Sequence, residues 1–194
     1  MAVTLSDIRA AQRRIAGGIY VSPCPESIPL SEITGCRIVC KLDNLQRTGS
    51  FKERGARNAL LRLPPVQQKR GVIAASAGNH ALGLAYHGKL LGIPVTVVMP
   101  DYAPLIKLTT CQKLGARVLV RGRDFTEARA AADALTGAAN QVSATAQSLS
   151  QSASEQASSV EETTASIDLM SASISQNSDN ARVTDGMATK ASKE

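Results

Sequence analysis

Tryptophan is absent and aromatic residues make up only 3% of the chain, two Phe and three Tyr. That excludes a stacking platform for nucleic-acid bases. The arginines are scattered through helical patterns and not interleaved with those few aromatics, so the +6 net charge does not mark a nucleic-acid groove. No apolar run approaches the ~20 residues that cross a bilayer, and residues 1–16 contain no apolar signal core. The pattern predicts a soluble, cytoplasmic chain without a membrane partner. Cys24, Cys36, Cys40 and Cys111 form no C-x-x-C pair, and the two histidines, His80 and His87, stand seven apart. Four free thiols and no metal site are expected.

The absences are also uneven. Every proline falls at or before Pro104, every cysteine at or before Cys111 and every aromatic at or before Phe125, while Ala138 to Asp185 contain neither Gly nor Pro. Through Thr136 there are 19 Lys/Arg against 9 Asp/Glu, and beyond it 3 against 7, so charges of +10 and −4 make up the net +6. Two segments of separate character are predicted, residues 1–136 and 137–194.

In the first segment, Ser6 to Ala16 reads as a short helix capped by Ser6, with Ile8 and Ile15 on one face and Gly17-Gly18 as its stop. Tyr20 to Pro29 holds three prolines and reads as extended chain. Arg37 to Leu42 reads as a strand, and Gly55 to Leu63 as a helix ended by Pro64-Pro65. From Gly71 the pattern alternates: a buried strand Val72–Ala75, helix His80–Leu91 closed by Gly92, strand Val95–Met99, helix Pro104–Leu114 closed by Gly115, strand Arg117–Val120 and helix Phe125–Leu135. Apolar strands without polar alternation, separated by helices, predict an α/β unit with a parallel sheet covered on both faces.

Ligands in such sheets bind beyond the carboxyl ends of the strands. Two loops there carry suitable chemistry. In Thr48-Gly49-Ser50-Phe51-Lys52, glycine allows a tight turn, Phe51 offers an apolar face, and Lys52 stands near a helix start, where the positive dipole end opposes further positive charge. An uncharged lysine amine attacks carbonyls. In Ser76-Ala77-Gly78-Asn79-His80, free N–H groups at the helix start suit a substrate carboxylate, and the Asn79 amide can donate to an oxygen. Spacing alone leaves the competing readings open: a solvated surface lysine and a capped helix start.

The runs Lys41-Leu-Asp-Asn-Leu-Gln-Arg-Thr-Gly-Ser-Phe-Lys-Glu-Arg-Gly-Ala56 and Ser76-Ala-Gly-Asn-His-Ala81 resemble the pyridoxal-phosphate-dependent threonine dehydratases, the threonine ammonia-lyases of the type II fold. The likeness extends over roughly Met1 to Ala134. It implies Lys52 as the catalytic residue that bonds pyridoxal 5'-phosphate, Phe51 packed near its ring and Asn79 at its phenolic oxygen. Ser76, Ala77, Gly78, Asn79 and His80 would take the carboxylate of threonine or serine. The implied reaction is β-elimination to a 2-oxo acid and ammonia. The same resemblance implies a Gly-rich phosphate loop, a polar partner for the pyridine nitrogen and a larger domain, but after Leu135 only Gly137 and Gly186 remain. An incomplete type II fold is expected, with little or no dehydratase activity in this chain alone.

In the second segment, Val142, Leu149 and Met170 with the weaker Gln156, Thr163, Asn177 and Thr184 recur at seven-residue spacing, as do Ala146, Ala153, Val160, Ile167, Ile174, Ala181 and Ala188. This predicts a long coiled-coil-like helix needing a helical partner, or else a Ser/Ala-rich disordered tail. Residues 149–192 resemble the first methylation helix of bacterial methyl-accepting chemotaxis proteins. Ala157-Ser-Ser-Val-Glu-Glu-Thr-Thr-Ala-Ser166 carries the likeness and implies Glu162 as methyl acceptor. A signalling segment, or two coding pieces joined without joint function, is the alternative to the enzyme reading.

Overall fold

The computed structural model describes residues 2–192. In chain order the elements are α1 (Leu5–Ile15), α2 (Ile28–Thr34), a 3-10 turn (Asp43–Leu45), α3 (Lys52–Arg62), α4 (Pro65–Arg70), β1 (Val72–Ala75), α5 (Asn79–Leu91), β2 (Val95–Met99), α6 (Leu105–Lys113), β3 (Arg117–Val120) and α7 (Phe125–Ala191). The three strands form a parallel sheet in the order β1-β2-β3, with Val72 opposite Val95 and Val97 opposite Val118.

Successive side chains of β2 point to opposite faces, and both faces are covered. Val97 and Met99 are fully buried with Ala56 and Leu60 of α3, Ala81 and Leu84 of α5, and Cys111 of α6. Val98 turns the other way, onto Ala128 and Ala132 of α7. Each such side chain removed from water contributes about 1.5–3 kcal/mol, so β2 anchors the sheet. The α/β reading with a parallel sheet is borne out. β1 is half-buried along its length, not wholly buried, because it is an outer strand.

Local chemistry moved several boundaries. Thr4, not Ser6, caps α1: its hydroxyl accepts from the Asp7 N–H while the Asp7 carboxyl accepts from the Thr4 N–H at 2.9 Å. Three residues after Ser6 stands Arg9, which has no acceptor to complete such a box. Ile15 is buried, but Ile8 is 56% exposed. The predicted strand Arg37–Leu42 is reduced to a single antiparallel bridge between Glu26 and Val39. Cys40 and Leu42 donate to the carbonyls of Pro25 and Pro23, and prolines have no N–H to return, so the ladder cannot propagate. Two short helices were hidden by proline: α2 begins within the stretch predicted as extended, and α4 follows the Pro64-Pro65 stop. Both carry proline in the first turn, where a missing N–H costs nothing. The helix expected over Gly55–Leu63 starts three residues earlier, at Lys52.

The helix predicted over Phe125–Leu135 runs on as α7 to Ala191. Gly137, its first glycine, costs a helix interior about 1 kcal/mol and does not interrupt it. By packing the chain divides into two compact units, Met1–Ala138 and Ala139–Glu194. The second is helical, not disordered, and its large apolar side chains from Val142 to Met187 are 57–72% exposed. Among the described residues no helix is long and apolar enough to cross a membrane and no metal-binding cluster forms. All four cysteines are free; burial pushes the Cys111 thiol up to about 11.

Candidate active site

The carboxyl end of β1 leads through Ser76-Ala77-Gly78 into α5. The Ser76 N–H donates to the Val98 carbonyl at 3.0 Å, extending the sheet pairing by one residue. Its hydroxyl accepts from the N–H groups of Gly78 at 3.3 Å and Ala81 at 3.2 Å, so it closes the turn from inside. The N–H groups of Ala77, Asn79 and His80 are left without partners among the described residues. A β-carbon at Gly78 would meet nothing within 4 Å, so the space over the turn is open. Free donors at a helix start attract an anion.

Lys52 opens α3. The turn before it reverses at Gly49, whose φ of 74° lies in the left-handed region, and the Lys52 N–H donates to the Ser50 hydroxyl at 3.3 Å. The Lys52 Nζ lies 5.0 Å from the centre of the Phe51 ring, which is 61% exposed. At Gly83, α5 approaches this turn closely: a β-carbon there would stand 3.3 Å from the carbonyl carbon and oxygen of Lys52. His80 stands one turn before Gly83 on α5, within reach of the lysine's charge. Its imidazole is held below the usual value, by burial first and by the Lys52 charge second.

Asn79 is engaged from α6, where Lys107 donates to its Oδ1 at 2.7 Å. The structure therefore gathers Lys52, Phe51 and His80 by packing α3 on α5, and keeps Ser76 to His80 as one turn. Lys107 was not foreseen. Its signal is position, one turn into the helix that follows the carboxyl end of β2.

Two further arrangements brace the lysine turn. Arg54 forks onto Asp43, Nε to Oδ2 at 2.8 Å and Nη2 to Oδ1 at 3.0 Å, tying α3 to the 3-10 turn. This hydrogen bonding, led by Arg54 and aided by Ser22, holds the Asp43 carboxyl far below the usual range. Beneath Lys52, Glu53 and His87 are both wholly buried, with Oε2 of one 3.6 Å from Nε2 of the other. Burial lowers the His87 imidazole, Glu53 opposes that shift and Arg57 adds to it.

Acid should therefore unfold the protein in two stages. The lowered imidazoles of His80 and His87 take up protons less readily in the fold than in the unfolded chain, so stability is full above about pH 6.5 and declines as pH falls through that value. The depressed Asp43 carboxyl contributes stability above about pH 4 and loses it as pH falls further. Thermal melting across pH 8 to 3 reads both stages; a flat melting temperature from pH 7 to 5 contradicts the first.

Known proteins resemble this chain in sequence and in fold. The family described as "Pyridoxal-phosphate dependent enzyme" matches residues 15–172. An L-threonine ammonia-lyase of Thermotoga maritima is 50% identical over 130 residues, which cover 67% of this chain and 32% of that protein. A catabolic L-threonine dehydratase TdcB of Staphylococcus aureus is 46% identical over 128 residues, 66% of this chain and 37% of the other. The structure of maize serine racemase superposes with a TM-score of 0.67 at 29% identity, over 72% of this chain and 43% of that one. The threonine deaminase isoform 2 of Solanum lycopersicum gives 0.62 at 32% identity, over 72% and 40%. The chain thus spans about a third of the length of the curated relatives it matches. With a family match over most of its residues and a shared sheet and helix arrangement, the chain belongs to the pyridoxal-phosphate-dependent enzymes and has their type II α/β fold.

Proposed function

We propose that residues 1–136 carry the lysine-bearing part of a cytoplasmic amino-acid dehydratase for threonine or serine, with Lys52 as its catalytic residue. The observation that carries this is the meeting of Lys52, Phe51 and His80 beside the open Ser76–His80 turn, enforced by the Gly83 approach. The residues fit the reactive end of pyridoxal phosphate: a primary amine for the aldehyde, an apolar ring face on Phe51, and open space over Gly78. Because Lys107 occupies the Asn79 Oδ1, the amide nitrogen of Asn79 is left to donate to a ring oxygen. Gly137 and Gly186 lie inside α7 and offer no turn for the phosphate.

When bound, the cofactor supplies an electron sink for the α-carbon. The unpaired N–H groups of Ala77, Asn79 and His80 hold the substrate carboxylate at the α5 start. That would place the α-carbon near Lys52, whose Nζ would take the α-proton and return a proton to the β-hydroxyl, which leaves as water. The relatives named as threonine ammonia-lyase and dehydratase support a hydroxy amino acid, and about two thirds of their length lies outside the match. The full chain mixed with pyridoxal phosphate should show visible absorption, and borohydride trapping with peptide mapping should place the label on Lys52. Even labelling of surface lysines contradicts the reading.

A second reading concerns residues 137–194. Val160, Ile167 and Ile174, at seven-residue spacing on α7, are 57–63% exposed, which favours a helical partner. We propose a chemoreceptor-like interaction segment joined to the enzyme part, with exposed Glu162 as its methylation site. The family match reaches residue 172 and so overlaps this segment. Sedimentation of the full chain should show concentration-dependent association that Ile167→Asp weakens. Association unaffected by Ile167→Asp contradicts a seam through these positions.

A further inference from the structure

Glu53 and His87 take no part in the steps above, yet each is wholly buried. Glu53 lies on the inward face of α3 with Ala56 and Leu60, and His87 on the inward face of α5 with Leu84 and Gly88. The Glu53 Oε1 accepts the backbone N–H of Thr48, the first residue of the turn that ends in Lys52. Its Oε2 faces the His87 Nε2 at 3.6 Å; neither that oxygen nor either imidazole nitrogen has a hydrogen-bond partner among the described residues. Arg57, one turn along α3, buries its Nε without a partner, and its guanidinium occupies the place a side chain at Gly18 would take. The Tyr86 ring meets His87 edge-on at 5.0 Å. The groups facing the pair are thus Arg57 from α3, Tyr86 from α5 and the Thr48 amide.

An apolar pair of this size would serve packing as well or better, since burying polar groups carries a desolvation penalty. A polar pair in this place has a different use. It links three things that must keep register: the turn before Lys52, α3 and α5. We propose that Glu53 and His87 are positioning residues for Lys52. Glu53 ties down the Thr48–Ser50 turn through the Thr48 amide, and His87 packs from α5 beside the other carboxyl oxygen at 3.6 Å. Together they set the direction in which the Lys52 amine leaves α3. This rests on the reading of Lys52 as the reactive amine.

The test uses the full chain and its Glu53→Ala, Glu53→Gln and His87→Gln variants. Amide hydrogen exchange at Thr48 to Ser50 is measured without cofactor, and the share of borohydride-trapped pyridoxal phosphate on Lys52 is measured separately. Far-UV circular dichroism checks folding. Glu53→Ala should speed Thr48 exchange about ten-fold and cut the Lys52 share of label by a similar factor, as loss of one buried hydrogen bond implies. Glu53→Gln still accepts the Thr48 N–H and should restore most of both. If Glu53→Ala does not fold, His87→Gln carries the test through a smaller loss of the Lys52 share against Glu53→Gln. An unchanged Lys52 share in folded Glu53→Ala and His87→Gln overturns the proposal, and so does unchanged Thr48 exchange. If wild-type protein shows no preference for Lys52, the reading of that lysine fails, while Thr48 protection lost in Glu53→Ala still supports the tie.

Discussion

Lys52→Arg removes the borohydride-stable label from the peptide carrying residue 52, and Lys52→Ala does the same. Arginine keeps the charge and roughly the length but lacks a primary amine and stays protonated, so it cannot condense with an aldehyde. Because Lys52 is exposed, either change should alter stability by no more than about 0.5 kcal/mol, and a loss of label cannot then be blamed on unfolding. Asn79→Ala is the graded comparison. It removes one hydrogen bond to the ring oxygen and should weaken pyridoxal phosphate binding about ten-fold, leaving the label on Lys52 when the cofactor is in excess. Lys107→Ala frees the Asn79 amide to rotate and should weaken binding less. Label that persists at full yield on another lysine of Lys52→Arg would remove Lys52 from the reaction.

The sheet and its crossover helices were legible because each strand is a short apolar run and each helix ends in glycine. Gly92 stops α5 with φ 67° and Gly115 follows α6 with φ 85°. What was not legible depends on partners distant in sequence. Arg37–Leu42 has the composition of a strand, but the prolines opposite it deny a ladder. The site loops were readable as motifs, since Gly49, Lys52 and Ser76 to His80 each carry local chemistry. Glu53 and His87 were not, because a glutamate after a lysine reads as solvated surface. The missed signal is spacing: Glu53, Ala56 and Leu60 share the inward face of α3, as Ala81, Leu84 and Gly88 accompany His87 on α5. A polar residue on an apolar stripe is the informative observation. Lys107 became part of the site only when the sheet placed the start of α6 beside that of α5.

Gly83→Val has the second large effect expected. A β-carbon at Gly83 already stands at 3.3 Å from Lys52 and 3.4 Å from the Ala56 side chain, so valine's branches must push the first turn of α3 away from α5. Overpacking of this kind costs about 1–3 kcal/mol, and β-branching in a helix adds a few tenths. Spread over a chain of this size, that lowers the melting temperature by roughly 2–4 °C per kcal/mol. The displacement falls on Lys52 itself, so label should be lost in the protein that remains folded. Gly83→Ala separates the causes: its helix propensity gain of about 1 kcal/mol offsets a shift of a few tenths of an ångström, leaving stability near neutral. Gly55→Ala is the control on α3, since a β-carbon there meets nothing within 4 Å and should stabilise by about 0.4–1 kcal/mol without touching the label. Were Gly83→Val to match Gly55→Ala in both melting temperature and labelling, the close approach of α5 to the lysine turn would not be what positions Lys52.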